Sequence, residues 1–189
     1  MLLCSEILIA IYRFLPLLQN RLYMAKLYIN KDIVADKDKM ENWYLTGEEG
    51  LSFPDIQNFL SWIDPNDHVI DIEIHSCGGD AVEGYAIYDA LRASGKQISC
   101  TAVGRCASMA TVILLAAAKE RRFAYPHAKF LIHKPYMASY DGDLDLETLE
   151  SIKSNLESEK NKMLALYVER TGSEASVIEA QMNKAGWFG

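Results

Sequence analysis

The sequence predicts an α/β fold around a partly parallel sheet, on three observations. Residues 69–75 alternate, with Ile70, Ile72 and Ile74 on one face, as a half-buried strand does. Gly78-Gly79 interrupts that strand, and Asp80 is placed to cap a helix over 81–94 that Gly95 ends. The pattern then recurs: 98–103 alternates, Gly104 turns the chain, and 108–118 is an unbroken helical run of small and aliphatic residues. Short strands follow at 122–125 and 129–132. Strands and helices in that alternating order need crossover connections, which leave the strands parallel. The helix over 108–118 has no polar face and belongs in the interior.

The flanking elements follow from the same periodicities. Residues 27–33 read as a first short strand, and 54–63 places apolar side chains at 56, 59, 60 and 63, a helical spacing. Residues 144–171 form the longest helix, which Gly172 stops. Its apolar positions 149, 152, 156, 163 and 167 make a narrow stripe among Glu, Lys, Ser and Asn. So narrow a stripe is expected to pack on a second copy, the alternative being a solvated arm with one docking seam. Ser176 and Glu179 have capping-box spacing for a last short helix. Residues 1–23 read as an apolar extension ahead of a domain spanning 24–189. Glu6, Arg13 and Pro16 interrupt them, which disfavours a membrane helix and leaves a membrane anchor as the lesser alternative, and a basic leader and cleavage site are lacking.

Composition narrows the function. A chain of 189 residues, 50% apolar and 24% charged, is one globular domain. A net charge of -7 without a basic run excludes nucleic acid as a partner. Cysteines at 4, 77, 100 and 106 and histidines at 68, 75, 127 and 133 lack metal-ligand spacing, so neither metal nor cofactor is expected. Reduced thiols suit a cytoplasmic protein.

Three segments carry chemistry together. Ser108 opens the buried helix, where unpaired backbone N–H groups favour an oxyanion; a serine there is otherwise an ordinary helix cap. Gly78-Gly79 allows close backbone approach, so the amides of Gly79 and Met109 are the candidate oxyanion donors. His133 closes the strand over 129–132, at a sheet edge where ligands bind, and imidazole titrates near neutrality. Taken singly, each is a common structural feature. The crossover order brings 79, 108 and 133 to one sheet edge, and that combination suits acyl transfer. His68, His75 and His127 have no companion signal and are read as structural.

Ser76-Cys77-Gly78-Gly79, Ile87-Tyr88-Asp89, Gly104-Arg105-Cys106-Ala107-Ser108-Met109 and Ile132-His133-Lys134-Pro135 resemble the ClpP family of serine peptidases, in particular the ClpP-like peptidases of phage genomes. That family shows Ser-Pro-Gly-Gly, Ile-Tyr-Asp, Gly-x-x-Ala-Ser-Met and Ile-His-x-Pro in the same order. The resemblance extends over about residues 27–189, including 167–172 and 178–188. It implies the ClpP/crotonase-type fold, with Ser108 as nucleophile, His133 as general base and then acid, and Gly79 and Met109 as the oxyanion hole. Extended polypeptide substrates would lie between residues 79–81, including Asp80 and Ala81, and the loop 134–138, including Lys134, Pro135, Tyr136 and Met137. The long helix would be the handle between heptameric rings stacked in pairs, fed by an AAA+ unfoldase. A phage copy would serve capsid maturation or host protein turnover in the host cytoplasm.

The departures from that pattern are specific. Cys77 stands where the family has proline, and no base is placed beside it to make it a nucleophile. The family's catalytic acid falls at Ala185, which has no carboxylate. Asn183, Asp141 and Asp143 are the nearby substitutes for orienting the histidine. The sequence also stops at Gly189, short of the family's closing strand and helix, which reads as truncation or degeneration. A catalytically impaired ring subunit is therefore the alternative to an active endopeptidase. An acyl-CoA-binding crotonase relative shares the fold but not the Ser-Met and Ile-His-Lys-Pro blocks. A Ser-Lys arrangement with Lys134 as base places that base less well than His133.

Overall fold

The structure is a computed structural model and describes residues 24–137, 139–140 and 142–189. The expected extension over 1–23 lies outside the described residues. Five strands, β1 (Met24–Ile29), β2 (Val69–Ser76), β3 (Gln97–Ala107), β4 (Arg122–Ala124) and β5 (Lys129–Leu131), form one sheet. Its order is β1-β2-β3-β4, with β5 also on β3, and every pairing is parallel. The long β3 serves two neighbours in succession: Cys100–Ala102 pair with β4 and Arg105–Ala107 with β5. That arrangement brings the end of β5 beside the end of β3.

Gly104 does not turn the chain, as its sequence position suggested; β3 runs straight through it. The pairing shifts from Ile74↔Ala102 to Ser76↔Cys106, so three residues of β3 face His75 alone. Gly104 lies within that bulge, where any Cβ would overlap the His75 ring. The Arg105 amide donates to His75 Nδ1 at 3.4 Å.

Helix α1 (Lys39–Thr46) is absent from the periodicity, because none of its residues is buried and it presents no apolar stripe to the core. Helix α2 (Phe53–Trp62) starts on a capping box of Ser52 and Asp55. Helix α3 (Ala81–Ala93) is capped as expected, the Asp80 carboxylate accepting the Glu83 amide at 2.9 Å. Helix α4 (Met109–Leu114) is buried but stops four residues short of the expected end. Two arginines explain the early stop. Arg170 donates to Leu115 O and Ala117 O at 3.0 and 2.9 Å, and Arg122 donates to Ala117 O at 2.9 Å. These carbonyls find partners without a further helical turn.

Helix α5 (Leu146–Thr171) is capped by Asp145 and closed by Gly172 at φ +74°. Its stripe divides. Met163 and Tyr167 are buried in the chain's own core, whereas Leu149 is exposed, so only the first half awaits other cover. Helix α6 (Ala175–Lys184) is capped at Glu174 rather than at Ser176, which lies inside it. Glu179 is thereby free to pair with Lys160 at 3.0 Å instead of closing a capping box. No helix among the described residues is long and apolar enough to cross a membrane.

Candidate active site

The glycine turn is held from both sides. Ser76, 2% exposed at the end of β2, donates to Lys31 O at 2.7 Å and accepts the Gly78 amide at 3.0 Å. Ile33 brackets the next residue: its amide donates to Gly78 O, and its carbonyl accepts the Asp80 amide, each at 2.8 Å. Gly79 lies between them at φ +145°, with its amide engaged by no other group among the described residues. The expected first strand over 27–33 is thus two pieces. Strand β1 ends at Ile29, and Ile33 forms a separate bridge to Gly79.

Ser108 stands at the corner between β3 and α4, with φ +51° and ψ -126°. Non-glycine backbone of this kind is strained and persists where its surroundings over-determine it. Three bonds do so here. The Ser108 amide donates to Leu131 O at 2.8 Å, and the Ser108 carbonyl accepts from the Thr111 amide at 2.9 Å and from Thr111 Oγ1 at 2.6 Å. The Tyr167 hydroxyl, buried on α5, donates in turn to Thr111 Oγ1. Met109, the first residue of α4, is also buried, and its amide has no partner among the described residues.

The first two segments touch directly. A Cβ added to Gly78 would lie 2.5 Å from Ala107 O, 2.7 Å from the Met109 nitrogen and 2.8 Å from Ser108 Cβ. Only glycine allows the turn to rest on the serine corner this closely. The third segment arrives through β5: the bond from Ser108 to Leu131 ties the serine two residues before His133. The unpaired amides of Gly79 and Met109 therefore belong to one corner, with Ser108 between β5 and the glycine turn.

His133 is half-buried. Its Nδ1 lies 2.6 Å from Lys134 O, and its ring packs on Tyr136 with centroids 5.5 Å apart. Among the described residues no carboxylate bonds to it. Phe188 pairs antiparallel with Phe130 through bonds of 2.7 and 2.9 Å, and their rings stack. Ala185, where the resemblance sets the family's acid, is exposed and is the left-handed C-cap of α6, at φ +46°. Asn183 and Asp143 are exposed without a bond to His133, and Asp141 lies outside the described residues.

The expected substrate contacts divide by use. Asp80 spends its carboxylate on the α3 cap, and Ala81 opens that helix. Lys134 and Pro135 wall a groove of about 400 Å³ whose other side is Leu149, Ile152 and Leu156 of α5. Tyr136 meets the histidine, Met137 is exposed, and residue 138 lies outside the described residues. Cys77 is an exposed free thiol, while burial pushes the Cys100 thiol up to about 12 and raises Cys106 as well. The described residues hold no cluster of metal-ligating side chains. Sequence reasoning missed Ser76, Ile33, Thr111 and Tyr167 as supports of the site. Ser76 was within reach as part of the Ser-Cys-Gly-Gly run, but nothing in the sequence pairs 31 with 76 or 111 with 167.

The parallel sheet and the helices that flank this corner make up a ClpP-type fold. A point mutant of ClpP1 from Listeria monocytogenes superposes with a TM-score of 0.68 over 93% of this chain and 86% of that one, at 20% identity. The sequence profile of the Clp protease family matches residues 55–189. The ATP-dependent Clp protease proteolytic subunit 1 of Chlamydia muridarum is 32% identical over 134 residues, 69% of this chain and 67% of the relative. The proteolytic subunit of Porphyromonas gingivalis is 31% identical over 137 residues, 70% of this chain and 60% of its own. The chain belongs to the Clp protease family.

Proposed function

We propose that this protein is a serine-type endopeptidase of the Clp proteolytic-subunit kind, cleaving extended polypeptides through an acyl-enzyme on Ser108. The observation that carries it is the contact of three distant segments. The Gly78 backbone rests against Ser108 and Met109, and the Ser108 amide is bonded to Leu131, two residues before His133. In the reaction, Ser108 Oγ attacks the scissile carbonyl carbon as its proton passes to His133 Nε2. The amides of Gly79 and Met109 receive the oxyanion. Collapse expels the amine, which takes the proton from His133, and water then hydrolyses the ester by the same route. No metal or cofactor is needed for these steps.

The groove between Lys134-Pro135 and α5 offers an apolar floor for a substrate side chain. Asp80, Ala81, Tyr136 and Met137 would flank the peptide. The open half of the α5 stripe supports assembly with further copies as a ring or double ring, with an AAA+ unfoldase as supplier of substrate. On the motif block, the reading extends to a cytoplasmic, phage-encoded enzyme acting in capsid maturation or host protein turnover, with residues 24–189 as the peptidase domain. Treatment with a fluorophosphonate probe tests the reading: Ser108 is expected to label, and Ser108→Ala to abolish both labelling and peptide cleavage. A protein that never labels at Ser108 sinks it.

A second reading has one observation in its favour: no carboxylate among the described residues bonds to His133, and Ala185 has none to offer. It makes the chain a ring subunit without turnover, which would assemble normally and neither label nor cleave.

A further inference from the structure

The geometry points to a substitute for the absent carboxylate: the loop after the histidine, through the Lys134 carbonyl and the Tyr136 ring, holds His133 in the tautomer that can accept the Ser108 proton. This rests on the peptidase reading above. A carbonyl oxygen has no proton to give, so at 2.6 Å from Lys134 O the Nδ1 atom must carry the hydrogen. Nε2 is then left with its lone pair, which is the form a serine base requires.

The local sequence favours this contact. Pro135 confines Lys134 to extended backbone, which fixes the direction of its carbonyl. Proline also brings no N–H of its own to compete for an acceptor. The Tyr136 ring then packs on the imidazole with centroids 5.5 Å apart and planes tilted by 43°, which restrains ring rotation. A neutral carbonyl stabilises the imidazolium less than a carboxylate would, because hydrogen bonds to charged partners are roughly twice as strong. Lys134 and Tyr136 are positioning residues: they act through His133 and fix its tautomer without supplying charge.

The test reads the tautomer directly. The full chain is labelled with 15N-histidine, His133 is assigned by its loss in His133→Gln, and spectra are taken at alkaline pH, where imidazole is neutral. Nδ1–H is expected to dominate in the native protein, Tyr136→Ala to mix the two forms, and Tyr136→Phe to restore the native ratio. A native His133 dominated by Nε2–H overturns the proposal. The kinetic arm installs an acid where the family resemblance sets it, by Ala185→Asp, which the left-handed backbone there tolerates. Fluorophosphonate labelling is expected to rise by less than about 100-fold. A larger gain, approaching the roughly 10⁴-fold cost of a wrongly held histidine, would mean that the carbonyl is not doing the job. If neither protein labels at Ser108, the peptidase reading fails, while the tautomer spectrum still decides this one.

Discussion

Replacing Gly79 with alanine probes the oxyanion geometry at the tightest point in the fold. A Cβ at this position would overlap the Ile33 carbonyl oxygen and lie 2.9 Å from its carbon and 3.0 Å from the Ile33 nitrogen. Carbon atoms in contact prefer about 3.5–4.0 Å, so the two backbones must part by roughly 1 Å. Ile33 cannot yield cheaply. It is 1% exposed and tied by bonds of 2.8 Å to Gly78 O and to the Asp80 amide. Losing both bonds costs about 2 kcal/mol, and alanine at φ +145° adds about 1–3 kcal/mol of strain, for a total of about 3–5 kcal/mol. At about 2–4 °C per kcal/mol for a chain of this size, the melting temperature should fall by roughly 6–20 °C. The Gly79 amide moves with the turn, so labelling of Ser108 should drop about 10²–10³-fold, the usual cost of one oxyanion donor. Gly95→Ala is the control. Its φ is +70° and nothing lies within 4 Å, so only about 1–2 kcal/mol of left-handed strain is expected, with labelling unchanged. A Gly79→Ala protein that melts lower but labels within about tenfold of native would refute the role given to that amide.

Two further perturbations test the supports around the site. Tyr167→Phe removes the donor to Thr111 Oγ1 and should cost about 1–2 kcal/mol in denaturant unfolding. Its effect should fall short of additive with that of Thr111→Val, because both hydroxyls hold the Ser108 carbonyl in one chain; strict additivity would show them to be independent. Asp55 gives a pH signature. Burial acts to raise its pKa, but the bonds from Lys39 and from the Ser52 amide and hydroxyl outweigh burial and hold the carboxyl below its ordinary value of 3.8. A depressed carboxylate contributes stability that is present above its unfolded value and is lost as pH falls through the folded one. Native protein should therefore be more stable than Asp55→Asn at pH 7 and should converge with it below about pH 4; a gap that persists into acid would place the effect elsewhere.

The contrast between α3 and α4 shows what periodicity can and cannot carry. Asp80 and Gly95 bound α3 within its own residues, so cap, helix and stop were all legible locally. Helix α4 has equally strong local propensity over 108–118, yet Arg122 and Arg170 claim the carbonyls at its end and stop it early. Those arginines lie up to 55 residues away, and no local pattern reports them. Gly104 shows the same limit. Glycine after an alternating strand commonly makes a turn, but here it serves as space for His75 across a bulge. Helix α1 escaped because it buries nothing.

By itself, the sequence determined the order of strands and crossovers, and through it the edge at which Gly79, Ser108 and His133 gather. Each of those inferences depends on spacing along the chain, where period 2 and period 3.6 speak directly. Only the tertiary structure decided how the corner is held: the left-handed serine tied to Leu131 and Thr111, and the glycine turn clamped by Ser76 and Ile33. The structure alone set His133 against the Lys134 carbonyl. These are contacts between segments that chain spacing does not link, or choices of direction for a single backbone group. Both are fixed by which surfaces the folded core brings together.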